Sequence, residues 1–484
     1  MICLSDSQIN DIGLGFVLDQ INACTPFGTE LVRKLKPFAP NEKEKLIEEL
    51  DNIGKIKDTY NRQAYTKIFL ILSKFKDIVP SIKKCSNLDY VLSEVELFEL
   101  KNFLLDLEDL AEVFGTKQKD LGLSCVLPKS MSEALALLDP EGNGLRTFYI
   151  PDTATARLSE IRAEKRRLEE AIIASDNEES KGLLREKRLL TVSAEEDEEL
   201  IIRRRLTAEI SLYAEDFIDN ASAIGRLDLL LQKGRLASEY RCVRPLISES
   251  EVSFVEIYNP YIKHLLKKND KEFCPISVIL NKGTSILTGA NMGGKSVVLK
   301  TLTLNILLFQ MGFFIFAEEA AVPLFDFTHL ISEDLQSLDM GLSTFAAEIV
   351  KLNQITSDLE KGFCFVALDE FGRGTNPQEG AALVRALAKF LNDKNAVSIL
   401  STHYDNISSP EYNNYQVIGL KNLNIESLKR ELIIKNQHLK EDNPGAIITD
   451  YMDYRLQKSD GKPPKDALNI CKLLNLSDKI TDLL

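Results

Sequence analysis

Gly289-Ala290-Asn291-Met292-Gly293-Gly294-Lys295-Ser296 decides the fold of this chain. The stretch fits G-x-x-x-x-G-K-[ST], the loop that wraps nucleotide phosphates. Before it, Ser285-Ile286-Leu287-Thr288 reads as a strand; after it, Val297-Val298-Leu299-Lys300-Thr301-Leu302 reads as a helix. Strand, glycine-rich loop and helix, in that order, is the context the pattern needs. Glycines let backbone N–H groups close on phosphate oxygens, and the helix N-terminus adds a favourable partial charge. Gly289, Gly293 and Gly294 are therefore candidate ATP contacts. Lys295 is placed to reach the β- and γ-phosphates, and the Ser296 hydroxyl to ligate Mg2+.

Three further stretches build on this loop. Phe363-Cys364-Phe365-Val366-Ala367-Leu368-Asp369-Glu370 is a buried apolar strand ending in two acids, about 75 residues after the loop. In an α/β sheet both strand ends can meet at one edge. Asp369 is the candidate Mg2+ holder, and Glu370 the candidate general base for the attacking water. Val397-Ser398-Ile399-Leu400-Ser401-Thr402-His403 is another buried strand. A lone histidine is usually structural, but His403 ends the next strand and so can touch the γ-phosphate or its water. Gly341-Leu342-Ser343-Thr344-Phe345-Ala346-Ala347-Glu348 precedes a helix opening at about Thr344. Ser343 reads first as an N-cap, and a helix N-terminus is also a phosphate site.

The 484 residues are 44% hydrophobic, enough for a sizeable core and two or three domains. A net charge of -14 disfavours non-specific DNA binding, so a nucleic-acid role needs a local basic surface. The eight cysteines form no C-x-x-C pair, which speaks against a zinc site or redox motif and for reduced thiols in a cytoplasmic protein. No signal peptide is evident. The apolar run Leu304 to Phe316, broken by Asn305, Gln310 and Gly312, is too short for a membrane span.

Residues 1 to about 240 read as almost wholly helical. A broad apolar stripe runs from Asp89 to Phe114. From Thr153 to about Ala174 a thin apolar seam lies among charges, as in a long solvated helix. Ser175 to Ser180 is the expected turn, and a second long helix is expected from near Ala194 to about Glu239. Lys165-Arg166-Arg167 and Arg203-Arg204-Arg205 are bordered by acids and read as paired, solvated faces rather than a nucleic-acid surface. After Pro245 short β-rich runs alternate with helices to about Thr402, an α/β pattern with a largely parallel sheet. A helical tail is expected over Pro464 to Leu484.

Together these residues resemble the MutS family of mismatch-repair ATPases. Thr288 to Ser296 resembles T-G-P-N-M-G-G-K-S with Ala290 in place of proline, and Asp369 to Thr375 resembles D-E-[LI]-G-R-G-T. Ser343-Thr344-Phe345 with Glu348 resembles S-T-F-x-x-E, and Ser401-Thr402-His403-Tyr404 resembles A-T-H-Y. Phe273-Cys274-Pro275 resembles the F-V-P whose phenylalanine packs on adenine. Thr25-Pro26-Phe27-Gly28 resembles the start of the family's helical core, and Arg226-Leu227-Asp228 the end of its lever. The resemblance implies an ABC-type P-loop ATPase domain of α/β class preceded by an all-α core and lever domain. It implies domains at 1–150 (core), 151–240 (lever hairpin) and 241–484 (ATPase). It makes Phe273 an adenine-stacking candidate and Asn291 a phosphate-loop contact, and it implies a homodimer in which Ser343 completes the neighbour's site.

The departures bear on function. The chain opens at the helical core, without the mismatch-binding domain and its F-x-E wedge, and the clamp is cut to a short turn around 175 to 195. Nothing resembles the nuclease tail of the second MutS class. ATP hydrolysis with Mg2+ is expected, and no membrane partner. The macromolecular partner stays open between duplex DNA, as in mismatch repair, and a protein, as in the clamp-less relatives proposed to reactivate a cobalamin-dependent lysine aminomutase. A relic with a dead ATPase is disfavoured because Lys295, Ser296, Asp369, Glu370 and His403 are all present.

Overall fold

The computed structural model describes residues 2–85, 87, 89–124, 127–289, 294–332, 344–419 and 452–459. It divides into two compact units: Asn22–Lys34 with Thr59–Gln232, and Met1–Ile21 with Leu35–Asp58 and Lys233–Leu484. Both are discontinuous in sequence, whereas the sequence reading draws contiguous blocks.

The first unit is helical throughout its described elements. Its longest early helix is Glu94–Leu121, starting later than the apolar stripe. The cause is a capping box. The Ser93 hydroxyl accepts from Glu96 N at 3.2 Å, and the Glu96 carboxylate accepts from Ser93 N at 2.9 Å. The core of this unit gathers on Phe103, whose ring meets Phe27, Phe75 and Phe217. The Thr25-Pro26-Phe27-Gly28 motif has a physical partner here. The buried Asp228 carboxylate accepts from Thr25 N and Thr25 Oγ1, both at 2.8 Å. Thr25 Oγ1 in turn accepts from Gly28 N and caps helix Pro26–Arg33. A Cβ at Gly28 would lie 2.4 Å from Asp228 Oδ2, so only glycine fits.

The helical hairpin is longer than the sequence suggests. Helix Ala156–Ala174 returns as Glu178–Ser211, and a break at Leu212 and Tyr213 precedes Ala214–Glu239. The expected start near Ala194 is thus wrong. Asn177 accepts from Glu179 N and begins the return helix three residues after the first one ends. Polar residues at 178–193 hid it, because their seam is too thin to show a period. The two helices are joined mainly by charge. Arg162 reaches Asp152, Glu195 and Glu199 at 2.7, 2.9 and 2.7 Å, and Lys165 also pairs with Glu195.

The second unit holds two sheets. Strands β1 (Leu246–Ile247), β2 (Val252–Ile257), β3 (Ile276–Leu280) and β5 (Glu319–Val322) form a four-stranded sheet in the order β1-β5-β2-β3. Strands β4 (Gly283–Thr288), β6 (Phe327–Ile331), β7 (Cys364–Leu368), β8 (Ala396–Ser401), β9 (Asn413–Gly419) and β10 (Asp453–Lys458) form the second, ordered β10-β9-β4-β8-β7-β6. All its pairings are parallel except β9 with β10. Strands β4, β7 and β8 are buried along their whole length, which is why they read as continuous apolar runs. Helices Thr344–Leu359 and Pro377–Asn392 cover one face, packing Ile355, Val384 and Leu387 on Ile286, Val366 and Leu400. Tyr415 of β9 exchanges hydrogen bonds with the backbone of Ile279 in β3, tying the sheets together. No described helix is long and apolar enough to cross a membrane.

Candidate nucleotide-hydrolysis site

Strand register aligns the ends of the strands that carry the candidate site residues. Leu287 of β4 pairs with Ser401 of β8, and Leu368 of β7 pairs with Leu400. The residues following β4 and β7 therefore emerge at one edge of the sheet, on either side of β8. After β4 the chain enters the glycine loop. Gly294 takes a left-handed φ of 82° and caps helix Lys295–Gln310, a conformation that a side chain would strain.

Lys295 is buried, with its ammonium 2.9 Å from Gly289 O and 3.1 Å from Glu370 Oε1. Glu370 is buried too and stands at φ 46°. A non-glycine residue held there stores roughly 1–3 kcal/mol of strain, which the surroundings must hold in place. They do so through Ser401, whose hydroxyl donates to Asp369 Oδ1 at 2.6 Å and accepts from Glu370 N at 3.0 Å. Asp369 N also donates to Ile331 O at 2.8 Å. The turn after the acids is clamped from two sides. Gly372 N donates to Glu348 Oε2, and Tyr404 OH donates to Gly372 O, each at 3.0 Å. Burial pushes the Glu348 carboxyl up, against the bond from Gly372 N. Glu348 lies on the helix that starts at Thr344, so this helix grips the turn after Glu370 directly.

A buried lysine of a glycine loop, ion-paired to the second of two acids at the end of a parallel strand, is the layout of a nucleotide-hydrolysing site. The family model for MutS domain V matches residues 285–446, which open on β4 and contain β6 to β9. Residues 285–446 form a MutS domain V. Endonuclease MutS2 of Acetivibrio thermocellus is 32% identical over 213 residues, covering 42% of this chain and 25% of that protein. Endonuclease MutS2 of Caldicellulosiruptor bescii is 36% identical over 207 residues, again 42% and 25%. That of Lacticaseibacillus paracasei is 33% identical over 253 residues, 52% of this chain and 30% of that protein. The chain thus matches only about a quarter to a third of the length of these curated relatives.

Beside the MutS-type phosphate loop lies a cleft of about 940 Å³. Its walls are helix Pro260–Lys268 through Ile262 and Leu266, the segment before β3 with Phe273, the helix start with Gly294 and Val297, and β10 with Tyr454. A Cβ on Gly294 would lie 3.2 Å from Tyr454 Cδ1, so the tyrosine ring lies against the loop's last glycine. Phe273 and Tyr454 are two aromatic side chains lining this cleft.

The structure brings together Gly289, Gly294, Lys295, Asp369 and Glu370, and places Ser296 in the first turn of the loop helix. His403 follows β8, is solvent-exposed and packs its ring 4.3 Å from that of Tyr404. Asn291, Gly293 and Ser343, like the expected tail over Pro464 to Leu484, lie outside the described residues. Sequence reasoning passed over Ser401, Tyr404 and Tyr454. A small hydroxyl ending a buried strand beside two acids is the signal that marks Ser401. Tyr454 has no local signal, because β10 reaches the cleft only through its pairing with β9.

Proposed function

We propose that this chain binds and hydrolyses ATP with Mg2+, works as a homodimer with composite sites, and passes the resulting conformational change to a macromolecular partner. The observation that carries this is the buried Lys295–Glu370 pair on the MutS-type loop. In this reading Gly289, Asn291, Gly293 and Gly294 surround the phosphates, and the γ-phosphate competes with Glu370 for Lys295. That competition frees the Glu370 carboxylate to take a proton from the attacking water. His403, exposed beside the site, contacts the γ-phosphate side, and Phe273 stacks on the adenine. The Ser296 hydroxyl and the Asp369 carboxylate, hard oxygen donors on neighbouring elements, fit Mg2+, which supplies charge neutralisation on the phosphates when bound. Ser343 of one protomer completes the site of the other. The domains at 1–150, 151–240 and 241–484 then act as core, lever and motor.

Two readings of the partner each have support. The relatives are named endonucleases, which favours duplex DNA. The hairpin favours a protein. Its Arg162, Lys165, Arg166 and Arg188 are paired to acids, while Ile173, Leu183, Leu189, Leu190 and Ile201 are exposed. A cobalamin-dependent lysine aminomutase is one client this second reading admits. Steady-state ATP turnover with and without duplex, branched or mismatched DNA, across a salt series, separates them. Stimulation that fades steeply with salt supports DNA. Turnover indifferent to every DNA form supports a protein, and absence of turnover overturns the ATPase reading itself.

A further inference from the structure

Away from the hydrolysis site, three ligand-type side chains from distant parts of the sequence converge at the outer edge of the large sheet. His329 lies on β6, Asp358 in the last turn of helix Thr344–Leu359, and Cys3 on the N-terminal segment. That segment adds to the edge of β6: Ile2 bridges Thr328 in parallel, and Cys3 N donates to Thr328 O at 3.1 Å. Cys3 Sγ, His329 and Asp358 offer one donor atom each, all within 4.8 Å of one another. His329 Nε2 is 3.4 Å from Asp358 Oδ2, and Cys3 Sγ is 4.0 Å from the same oxygen.

An unsatisfied atom points into this cluster. His329 is 3% exposed, and its buried Nε2 has no hydrogen-bond partner; its approach to Asp358 is too poorly aligned to count as one. A buried polar nitrogen left without a partner costs about 1–3 kcal/mol, so the placement calls for an explanation. Burial pushes the His329 imidazole down to about 4, and a neutral ring can present a lone pair at Nε2. The carboxylate is held from outside: Lys361 Nζ donates to Asp358 Oδ1 at 2.8 Å and Gln354 Nε2 to Oδ2 at 3.0 Å. This is the outer support that metal-ligating carboxylates use. Lys351, another nearby cation, donates to Gln8 Oε1 at 2.6 Å.

We propose that Cys3 Sγ, His329 Nε2 and Asp358 Oδ2 form a binding site for a thiophilic divalent cation of the zinc type, which pins the N-terminal segment to the edge of the ATPase sheet. Tetrahedral bonds of about 2.0–2.3 Å put ligand atoms roughly 3.3–3.8 Å apart. The imidazole and carboxylate already stand at that spacing, and the thiol, 4.0 Å from Asp358 Oδ2, lies just outside it. The set of one sulfur, one nitrogen and one oxygen selects zinc over the Mg2+ of the hydrolysis site, which takes oxygen ligands. On binding, the Cys3 thiol gives its proton to solvent, and water fills the fourth position.

The full chain, stripped with a chelator, incubated with Zn2+ in excess Mg2+ and desalted, tests this by elemental analysis. The wild type is expected to keep about one zinc per chain. Cys3→Ser and His329→Ala are expected to lose it. With Co2+ in place of zinc, the wild type should show a thiolate-to-cobalt charge-transfer band that Cys3→Ser, a near-isosteric change, removes. Loss of metal and band in Cys3→Ser with nucleotide binding intact supports the site. A wild type that keeps no metal, or a Cys3→Ser protein that keeps as much, overturns it.

Discussion

Ser401 joins the two acids on which the proposed hydrolysis depends. Its hydroxyl donates to Asp369 and accepts from the backbone N–H of Glu370, whose left-handed φ it thereby helps to hold. Ser401→Ala removes both bonds and leaves a buried N–H unpaired. We expect ATP turnover to fall by about tenfold or more, because a misplaced base costs orientation, while ATP affinity, set by the glycine loop, changes little. Steady-state kinetics with a parallel nucleotide-binding titration check the split; an unchanged turnover number would remove Ser401 from the site. At this scale much was legible. Lys295, Asp369 and Glu370 announce themselves through neighbours in sequence, since a loop and a strand end are local patterns. Ser401 stands in the sequence beside His403, yet its role depends on the register of β7 with β8, which no local pattern reports.

Among elements, the hairpin and the helix Glu94–Leu121 show how charge sets boundaries. Arg162 holds two acids across the hairpin, Glu195 and Glu199, and Asp152 just before its own helix, with few apolar contacts to help it. Arg162→Ala should destabilise the hairpin by about 1–3 kcal/mol, since partly buried Glu195 and Glu199 each lose a charged partner. Hydrogen exchange over 156–211 should rise, whereas Arg167→Ala, whose pair with Glu164 is exposed, should leave exchange as it was. Glu96 carries a pH dependence. Burial alone would raise its carboxyl, but hydrogen bonds from Ser93, Tyr90 and Lys84 outweigh it and hold it at about 2. The native value lies below the ordinary 4.5, so its stabilisation is present above 4.5 and fades as pH falls towards 2. Acid denaturation of Glu96→Gln should therefore be shallower than that of wild type across this window, and parallel curves would contradict the capping account. The sequence reading missed both boundaries here for one reason: periodicity reports burial, and these ends are built from polar caps. It identified the parallel strands because β4, β7 and β8 are buried on both faces and so appear as unbroken apolar runs.

For the whole molecule, the account requires two chains per working unit. Glu348, on the helix that follows the Ser343 stretch, grips the turn after Glu370, so an event at that helix start reaches the acids through one hydrogen bond. If Ser343 serves the neighbour's nucleotide, a Ser343→Ala chain and a Lys295→Ala chain, each inactive alone, should complement when mixed. Equal amounts would regain about a quarter of wild-type turnover, one intact site in each mixed dimer. No recovery despite demonstrated mixed dimers would mean that each chain builds its own site. Partner and client were not legible at any scale, because they depend on surfaces, such as the exposed apolar side chains of the hairpin, that appear only once the helices are assembled.

The most direct test of the central claim is a comparison of ATP turnover and nucleotide retention between wild type and Glu370→Gln with Mg2+ present. The account predicts that the variant binds ATP, retains it unhydrolysed and turns over at least about a hundredfold more slowly, because its amide cannot take the proton from water. Turnover by Glu370→Gln at the wild-type rate would show that Glu370 is not the base and that the Lys295–Glu370 pair does not mark the hydrolysis centre.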